Sequence, residues 1–115
     1  MRCHSAWSGA QRRIERVWLA ETATERMQGL LGRPPLGENE AMLLKPCRLV
    51  HTLGMAYPLD LVFLDRHGRV RKLVQALRPA RLAGCLAAQS TLELAAGRIA
   101  ALGLVLGDVI ELRPA

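Results

Sequence analysis

The stretch PLDLVFLDRHGRVRKLVQAL, residues 58–77, decides the fold. It consists of two β-rich runs, residues 58–65 and 69–77, on either side of the short segment Arg66-His67-Gly68. Two such runs around a short glycine-containing segment are typical of a β-hairpin. We therefore predict two paired strands joined by a turn at residues 66–68, with Pro79 ending the second strand.

The sequence after the hairpin predicts further strands and one short helix. Residues 80–88 are rich in small side chains and give no assignment. Ser90 to Ala95 alternates in the manner of a strand, with Leu92 and Leu94 on one face. The remaining predictions are a helical turn or two over residues 97–102, strands over 104–106 and 109–112, and a tight turn at Gly107-Asp108.

The sequence before the hairpin predicts two strands around a short helix. Residues 13–20 form the first strand and residues 41–44 a short buried one, which Pro46 stops. Between them Thr22 and Glu25 have the spacing of a capping box, which predicts a helix that continues to about Leu31. We predict that residues 1–12 are a flexible leader of mixed composition.

Composition and length limit the architecture to one domain with an aliphatic core. The chain has 115 residues, half of them hydrophobic, and only four aromatic side chains. This balance excludes intrinsic disorder and leaves no room for a second core. We predict an α+β fold over residues 13–115, a compact, mainly antiparallel β-sheet or partial barrel with two short helices.

Charge and cysteine content narrow the class of protein. The net charge is +6, and fourteen of the sixteen basic residues are arginine, which suits recognition of anions. The arginines are dispersed, so we predict no nucleic-acid binding. Three cysteines without a C-x-x-C pair predict neither disulfides nor a zinc ribbon. No signal peptide and no membrane span is predicted, and we expect a cytoplasmic protein.

Several short motifs, taken in order, resemble a bacterial and archaeal family known as the domain of unknown function 192 (DUF192). The resemblance covers about residues 14 to 112. It is carried by Arg26, Gly29-Leu30-Leu31, Arg33, Met42-Leu43, Pro58-Leu59-Asp60, Phe63-Leu64-Asp65, Gly68, Val70, Leu92-Glu93-Leu94, Gly97, Gly103 and Gly107-Asp108.

The resemblance implies a compact, largely β domain with no established activity, and many relatives look exported. Many members also carry a Phe-Trp-Met-Lys-Asn-Thr stretch before the Pro-Leu-Asp motif. This chain has Val50-His51-Thr52-Leu53-Gly54-Met55 there. Any role of the family's lysine and asparagine is therefore not transferred to Leu53 and Gly54.

Residues 47–55 hold the densest set of reactive side chains, with Cys47, His51 and Met55 in a C-x-x-x-H-x-x-x-M spacing. Thiolate, imidazole and thioether are ligands of soft metals such as copper. In an extended segment these three side chains would be spread along the strand, so a metal site needs the loop to fold back. The alternative is that Cys47 and Met55 pack in the core.

A small enzyme is a second interpretation of the same segment. An imidazole beside a thiol can generate a thiolate nucleophile, so Cys47 and His51 would be the pair and Asp60 would orient the histidine. Nothing in the sequence predicts an oxyanion hole. We therefore favour a protein without catalysis and predict no catalytic residue and no cofactor.

Asp60 enters a run that is otherwise apolar, where a carboxylate is costly unless it is paired or hydrogen-bonded. One interpretation is structural, with Asp60 bound to the backbone of a loop. The other places Arg33, His51 and Asp60 around one ligand cleft. We predict a small binding or accessory module with an anionic ligand or a protein partner. An interaction domain of a bacterial envelope or secretion system is a third possibility.

Overall fold

The computed structural model describes residues 1–115. Seven of its nine strands form one sheet in the order β6-β5-β8-β3-β2-β1-β9, and β4 pairs with β7 in a second, two-stranded sheet. The bounds are β1 Arg2–Ser8, β2 Gln11–Ala20, α1 Ala23–Gln28, β3 Glu40–Leu44, β4 Leu49–His51, β5 Leu59–Leu64, β6 Val70–Leu77, β7 Leu82–Gly84, β8 Ser90–Ala95, α2 Arg98–Leu102 and β9 Glu111–Pro114.

The predicted hairpin is confirmed as β5 and β6, which pair in antiparallel register. In its turn, the Asp65 carboxylate accepts the backbone N–H groups of His67 and Arg69 at 2.8 and 3.0 Å. Gly68 has a φ of +78°, and a Cβ there would collide with the carbonyl oxygen of Ile110. Only glycine fits this position, because the turn packs directly against the C-terminal segment.

The capping box is also confirmed. The Glu25 N–H donates to Thr22 Oγ1 at 3.1 Å, and the Glu25 carboxylate accepts the Thr22 N–H at 3.0 Å. The helix nevertheless ends at Gln28, earlier than the predicted Leu31. Gly29 adopts a φ of +51°, a conformation that ends an α-helix.

The flexible leader predicted for residues 1–12 is wrong. Residues 2–8 form β1, which lies between β2 and β9 and pairs with both. Ser5 and Ala6 are buried. The mixed composition of these residues gives no strand pattern, and contacts formed in the fold accommodate the polar groups of β1. The Trp7 indole N–H donates to Ser5 Oγ at 2.8 Å, and the Arg113 guanidinium lies 4.5 Å over the Trp7 ring.

The remaining differences between the predicted and the observed elements concern short strands. Ser90–Ala95 is confirmed as β8, but residues 104–106 form no strand, and the last strand begins at Glu111 rather than residue 109. The pair β4 and β7 was not predicted, since each strand has only three residues. Strands this short carry too little alternation to recognise.

The predicted α+β class and mainly antiparallel sheet are confirmed, with β2 and β3 as the one parallel pair. The sheet does not close into a barrel. Its two edges meet at one end only, where the Val70 N–H donates to Asp108 O and the Ile110 N–H to Gly68 O, both at 2.8 Å. Strands β6 and β9 themselves do not pair, so the sheet remains open.

Two apolar clusters cover the two faces of the sheet. The α2 face carries Val62, Leu64, Leu92 and Leu94 together with Ile99 of α2. The opposite face, called the cleft face below, carries Met42, Leu59, Leu61, Phe63 and, after α1, Leu30. Because strand side chains alternate, neighbouring residues of β5 and β8 serve different faces. Neither helix is long and apolar enough to cross a membrane.

Candidate functional site

A cleft of about 700 Å³ lies on the cleft face, between α1 and residues 46–55. Most of its lining is hydrophobic. The side chains and backbone that line it belong to Ala23, Arg26, Met27, Gln28, Gly29, Leu30, Leu31, Leu44, Pro46, Cys47, Arg48, Leu49, Val50, His51, Leu53, Met55 and Glu93.

One wall of the cleft is α1 and the turn that follows it. Gly29 turns the chain so that Leu30 is buried in the core, while Met27 remains 79% exposed at the rim. Across the cleft, Gly54 has a φ of +81°, and a Cβ there would lie 3.2 Å from Leu31 Cδ2. The two walls therefore contact each other closely at one end of the cleft.

Thr52 holds the other wall in place. It is completely buried, and its Oγ1 donates to Arg78 O at 2.7 Å and accepts the Arg81 N–H at 2.9 Å. The Thr52 N–H donates to Arg81 O at 2.9 Å. Because Thr52 is bound in this way to the segment before β7, the adjacent Leu53 and the preceding His51 are presented at the surface of the cleft.

Glu93 is the one acidic residue in the lining. It lies in the middle of β8 between Met42 of β3 and Leu61 of β5, and it is 5% exposed. Its Oε1 is buried and has no hydrogen-bond partner. Burial raises the pKa of the Glu93 carboxyl to about 7, because removal from water disfavours the charged form.

Tyr57 is the second polar group left unsatisfied near this floor. Its hydroxyl is buried and has no hydrogen-bond partner. Burial raises the pKa of Tyr57, and the charge of Glu93 raises it further. An unpaired buried hydroxyl and an unpaired buried carboxyl in one region are unusual, since buried polar groups are normally hydrogen-bonded.

The cleft brings together three of the predicted residues. Cys47, His51 and Met55 all contribute to its lining. The Cys47 thiol lies 3.4 Å from Leu49 O, to which it donates. No group of three or more His, Cys, Asp and Glu side chains is clustered closely enough to hold a metal ion.

Arg33 and Asp60 do not join His51. Arg33 lines a separate cavity of about 310 Å³, and its Nε donates to Gly29 O at 2.9 Å. Asp60 belongs to the α2 face, because it alternates along β5 with Leu59 and Leu61 of the cleft face. The predicted convergence of these three residues on one cleft is therefore not formed, and Asp60 does not orient His51.

Asp60 instead joins three elements through its carboxylate. Strand β6 bulges opposite Asp60, where Gln75 and Ala76 face a single residue. Asp60 Oδ1 accepts the freed Ala76 N–H at 2.8 Å, and Oδ2 accepts the Ile99 N–H at the start of α2 at 2.9 Å. The helix has no side-chain cap of its own, so Asp60 supplies one from another strand.

Glu93 is the residue that the sequence reasoning missed as a site candidate, although it lies within the Leu92-Glu93-Leu94 motif. One signal was available. With Leu92 and Leu94 on one face of the strand, alternation places Glu93 on the other face. A charged residue at the centre of an otherwise apolar strand is a candidate for function when both faces of the sheet are covered.

The family follows from a match over most of the chain. Residues 5–112 match the DUF192 family model, which is described as an uncharacterised ACR. The chain belongs to the DUF192 family. Among curated proteins, none matches this DUF192 chain.

Two solved structures share the fold of this DUF192 chain. A protein of unknown function from Novosphingobium aromaticivorans is 26% identical, with a TM-score of 0.81 over 95% of this chain and 83% of its own. A protein from Sinorhizobium meliloti, described as a "putative transcription regulator", is 24% identical, with a TM-score of 0.82 over 96% of this chain and 92% of its own.

The bonds of Asp60 predict a stability defect for Asp60→Asn. An asparagine has one acceptor oxygen and places an NH₂ group against a backbone N–H, so one bond is lost and two donors face each other. We expect the free energy of unfolding, measured with urea, to fall by about 2–3 kcal/mol. The exposed Glu15→Gln is the control and should stay within about 0.5 kcal/mol of the original chain. An unchanged unfolding midpoint for Asp60→Asn would contradict the structural role.

The raised pKa of Glu93 predicts a pH-dependent stability. Between pH 4.5, the ordinary pKa of a glutamate, and about 7 the unfolded chain loses this proton while the folded chain keeps it, so stability falls as the pH rises. Glu93→Gln removes this loss. We expect the stability of the variant relative to the original chain to increase by about 3 kcal/mol between pH 4 and 8. For the control Glu15→Gln we expect the free energy of unfolding to follow the same pH dependence as in the original chain. The same result for Glu93→Gln would refute the raised pKa of Glu93.

Proposed function

We propose that this chain is a small binding module that takes up a small molecule in the cleft between α1 and residues 46–55. The observation that carries the proposal is the unpaired Oε1 of Glu93 on the floor of an open cleft. A buried carboxyl without a partner destabilises the protein by about 1–3 kcal/mol or more. A ligand that hydrogen-bonds to it would offset that cost.

The shape and lining of the cleft support the same function. Its volume of about 700 Å³ lies within the range of small-molecule pockets, about 300–1,000 Å³. The rim carries three exposed apolar side chains, Met27, Leu49 and Leu53, at 79, 62 and 58% exposure. Exposed apolar side chains at the rim and an unpaired carboxyl on the floor favour a ligand that has an apolar body and one polar end.

The transcription-regulator description of the Sinorhizobium protein has less support in the structure of this chain than the binding of a small molecule. Helix-turn-helix proteins place a recognition helix in the major groove of DNA. The two helices of this chain have six and five residues and lie apart in the fold, α1 after β2 and α2 after β8. We therefore favour the binding of a small molecule over the binding of DNA.

A neutral probe tests the cleft without reference to the charge of Glu93. We expect hexan-1-ol to shift the backbone amide resonances of the cleft lining in a saturable way, in ¹H–¹⁵N NMR spectra of the ¹⁵N-labelled protein. Met27→Trp narrows the mouth and should weaken this binding, whereas Leu86→Trp, at a residue that is 92% exposed outside the cleft, should not. Absent or scattered shifts, or equal affinity in the two variants, would refute the proposal.

A soft-metal site is the second candidate function. The specific observation that favours it is that Cys47, His51 and Met55 line one cleft, together with a second thioether from Met27. Thiolate and thioether groups select monovalent copper. In this case the apolar rim would shield the metal rather than receive an organic ligand.

Silver(I), which has the same ligand preferences and does not change oxidation state, tests this candidate. The chain has three free thiols, at Cys3, Cys47 and Cys85, and each is a ligand for Ag(I). We expect Ag(I) to shift the NMR resonances of His51 and Met55 in the original chain, and Cys47→Ser to bind one Ag(I) fewer and to lose these shifts. Cys3 lies on β1, away from the cleft, so Cys3→Ser is the matched control. Ag(I)-induced shifts of His51 and Met55 that survive in Cys47→Ser, or that are lost in Cys3→Ser, would refute the soft-metal site.

A further inference from the structure

The space beside Gly29 has an unusual chemical character. Apart from the adjoining residues of the chain, a Cβ built on Gly29 would have two heavy atoms within 4 Å, the carbonyl oxygen of Arg26 at 3.8 Å and Glu93 Oε1 at 3.9 Å. The Arg26 carbonyl makes no backbone hydrogen bond at this helix end. Glu93 Oε1 is buried without a partner, and both residues line the cleft, so the space lies beside two acceptors to which no protein group donates.

The protein supplies no cation to this floor. The neighbours of Glu93 on the adjacent strands are Met42 and Leu61, which are uncharged. The Arg26 guanidinium donates to the carbonyls of Glu21 and Lys45 and makes no hydrogen bond to Glu93 Oε1. Burial alone accounts for the raised pKa of Glu93, without any opposing contribution from a positive charge.

The other charged and titratable groups near Glu93 lie on the opposite wall or beside the floor. Arg48 lines the cleft, but its Nε donates to Ala88 O at 3.1 Å. His51 and Cys47 line the same wall, and Tyr57 lies in the loop before β5. None of these groups is hydrogen-bonded to Glu93.

From this arrangement we infer that the ligand of the cleft is an amphipathic primary amine, whose ammonium group enters the space beside Gly29 and donates to Glu93 Oε1 and Arg26 O. The inference rests on the proposed function, since it names the chemistry of that cleft's ligand. An ammonium has three donors and one positive charge, which matches two acceptors and a carboxyl without a counter-ion. Its apolar body lies along Met27, Leu49 and Leu53 at the rim.

An anionic ligand is the opposing possibility, since Arg26 and Arg48 both line the cleft and the excess of arginine predicts it. The two possibilities differ in their dependence on pH. An amine binds to the ionised form of Glu93 and an anion to its protonated form. The ionised fraction rises from about a tenth at pH 6 to about nine-tenths at pH 8 for a pKa of about 7.

Three probes of equal chain length separate these outcomes: hexylamine, hexan-1-ol and hexanoate. Hexylamine stays protonated over this pH range, as a lysine side chain does. We expect its affinity, measured by NMR titration of the original chain, to exceed that of hexan-1-ol at pH 8 and to rise about tenfold from pH 6 to pH 8. The affinity of hexan-1-ol should change little.

Two variants assign the pH dependence to a residue. The pH dependence of hexylamine binding should disappear in Glu93→Gln and persist in His51→Gln. The His51 variant is needed as a control because histidine side chains in general change charge in this pH range. The comparison of the three probes on the original chain decides the inference even if Glu93→Gln does not fold.

Hexylamine binding that is flat or falls with pH, that is weaker than hexanoate binding, or that keeps its pH dependence in Glu93→Gln overturns the amine assignment. If hexan-1-ol still shifts the cleft resonances, the proposed function stands; if no probe shifts them, both fail.

Discussion

The carboxylate of Asp60 is the interaction on which the arrangement of this fold depends. Its two oxygens accept one N–H from the bulge of β6 and one from the first turn of α2. These contacts fix how the hairpin bends and where α2 covers the sheet. They also explain why a charged residue is tolerated in a strand that is buried throughout, since a buried carboxylate is stable when both oxygens have donors. The cleft lies on the other face of the sheet, so it is free of this structural requirement.

Two buried acids on adjacent strands thus have opposite roles. Asp60 of β5 faces α2 and is fully hydrogen-bonded, whereas Glu93 of β8 faces the cleft and has an oxygen without a partner. Composition and burial do not distinguish them, because both are almost completely buried. The distinction comes from the hydrogen-bond partners. A satisfied acid stabilises the fold, and an unsatisfied one at an opening is a candidate for ligand binding.

Local patterns were sufficient to predict much of the fold. The hairpin, the Thr22 capping box and β8 each follow from residues that are close in sequence. The N-terminal strand β1 could not be recognised, because its polar side chains find partners such as Arg113 only after the chain has folded. The candidate site was predicted in part. Cys47, His51 and Met55 do share a cleft, but Asp60 was grouped with His51 because proximity in sequence does not show which face of a sheet a residue occupies.

The position of Gly29 connects the fold of α1 to the chemistry of the cleft. A residue with a Cβ would be strained at its φ of +51°, so the helix ends there with glycine. The same missing Cβ leaves space beside the Arg26 carbonyl and the Glu93 carboxyl. Above pH 7 the unpaired charge of Glu93 destabilises the folded chain by about 3 kcal/mol relative to an ordinary glutamate. A cationic ligand would lower the pKa of Glu93 and recover this free energy as affinity. The loss of stability above pH 7 and the preference for a cationic ligand are therefore two consequences of one unpaired carboxyl.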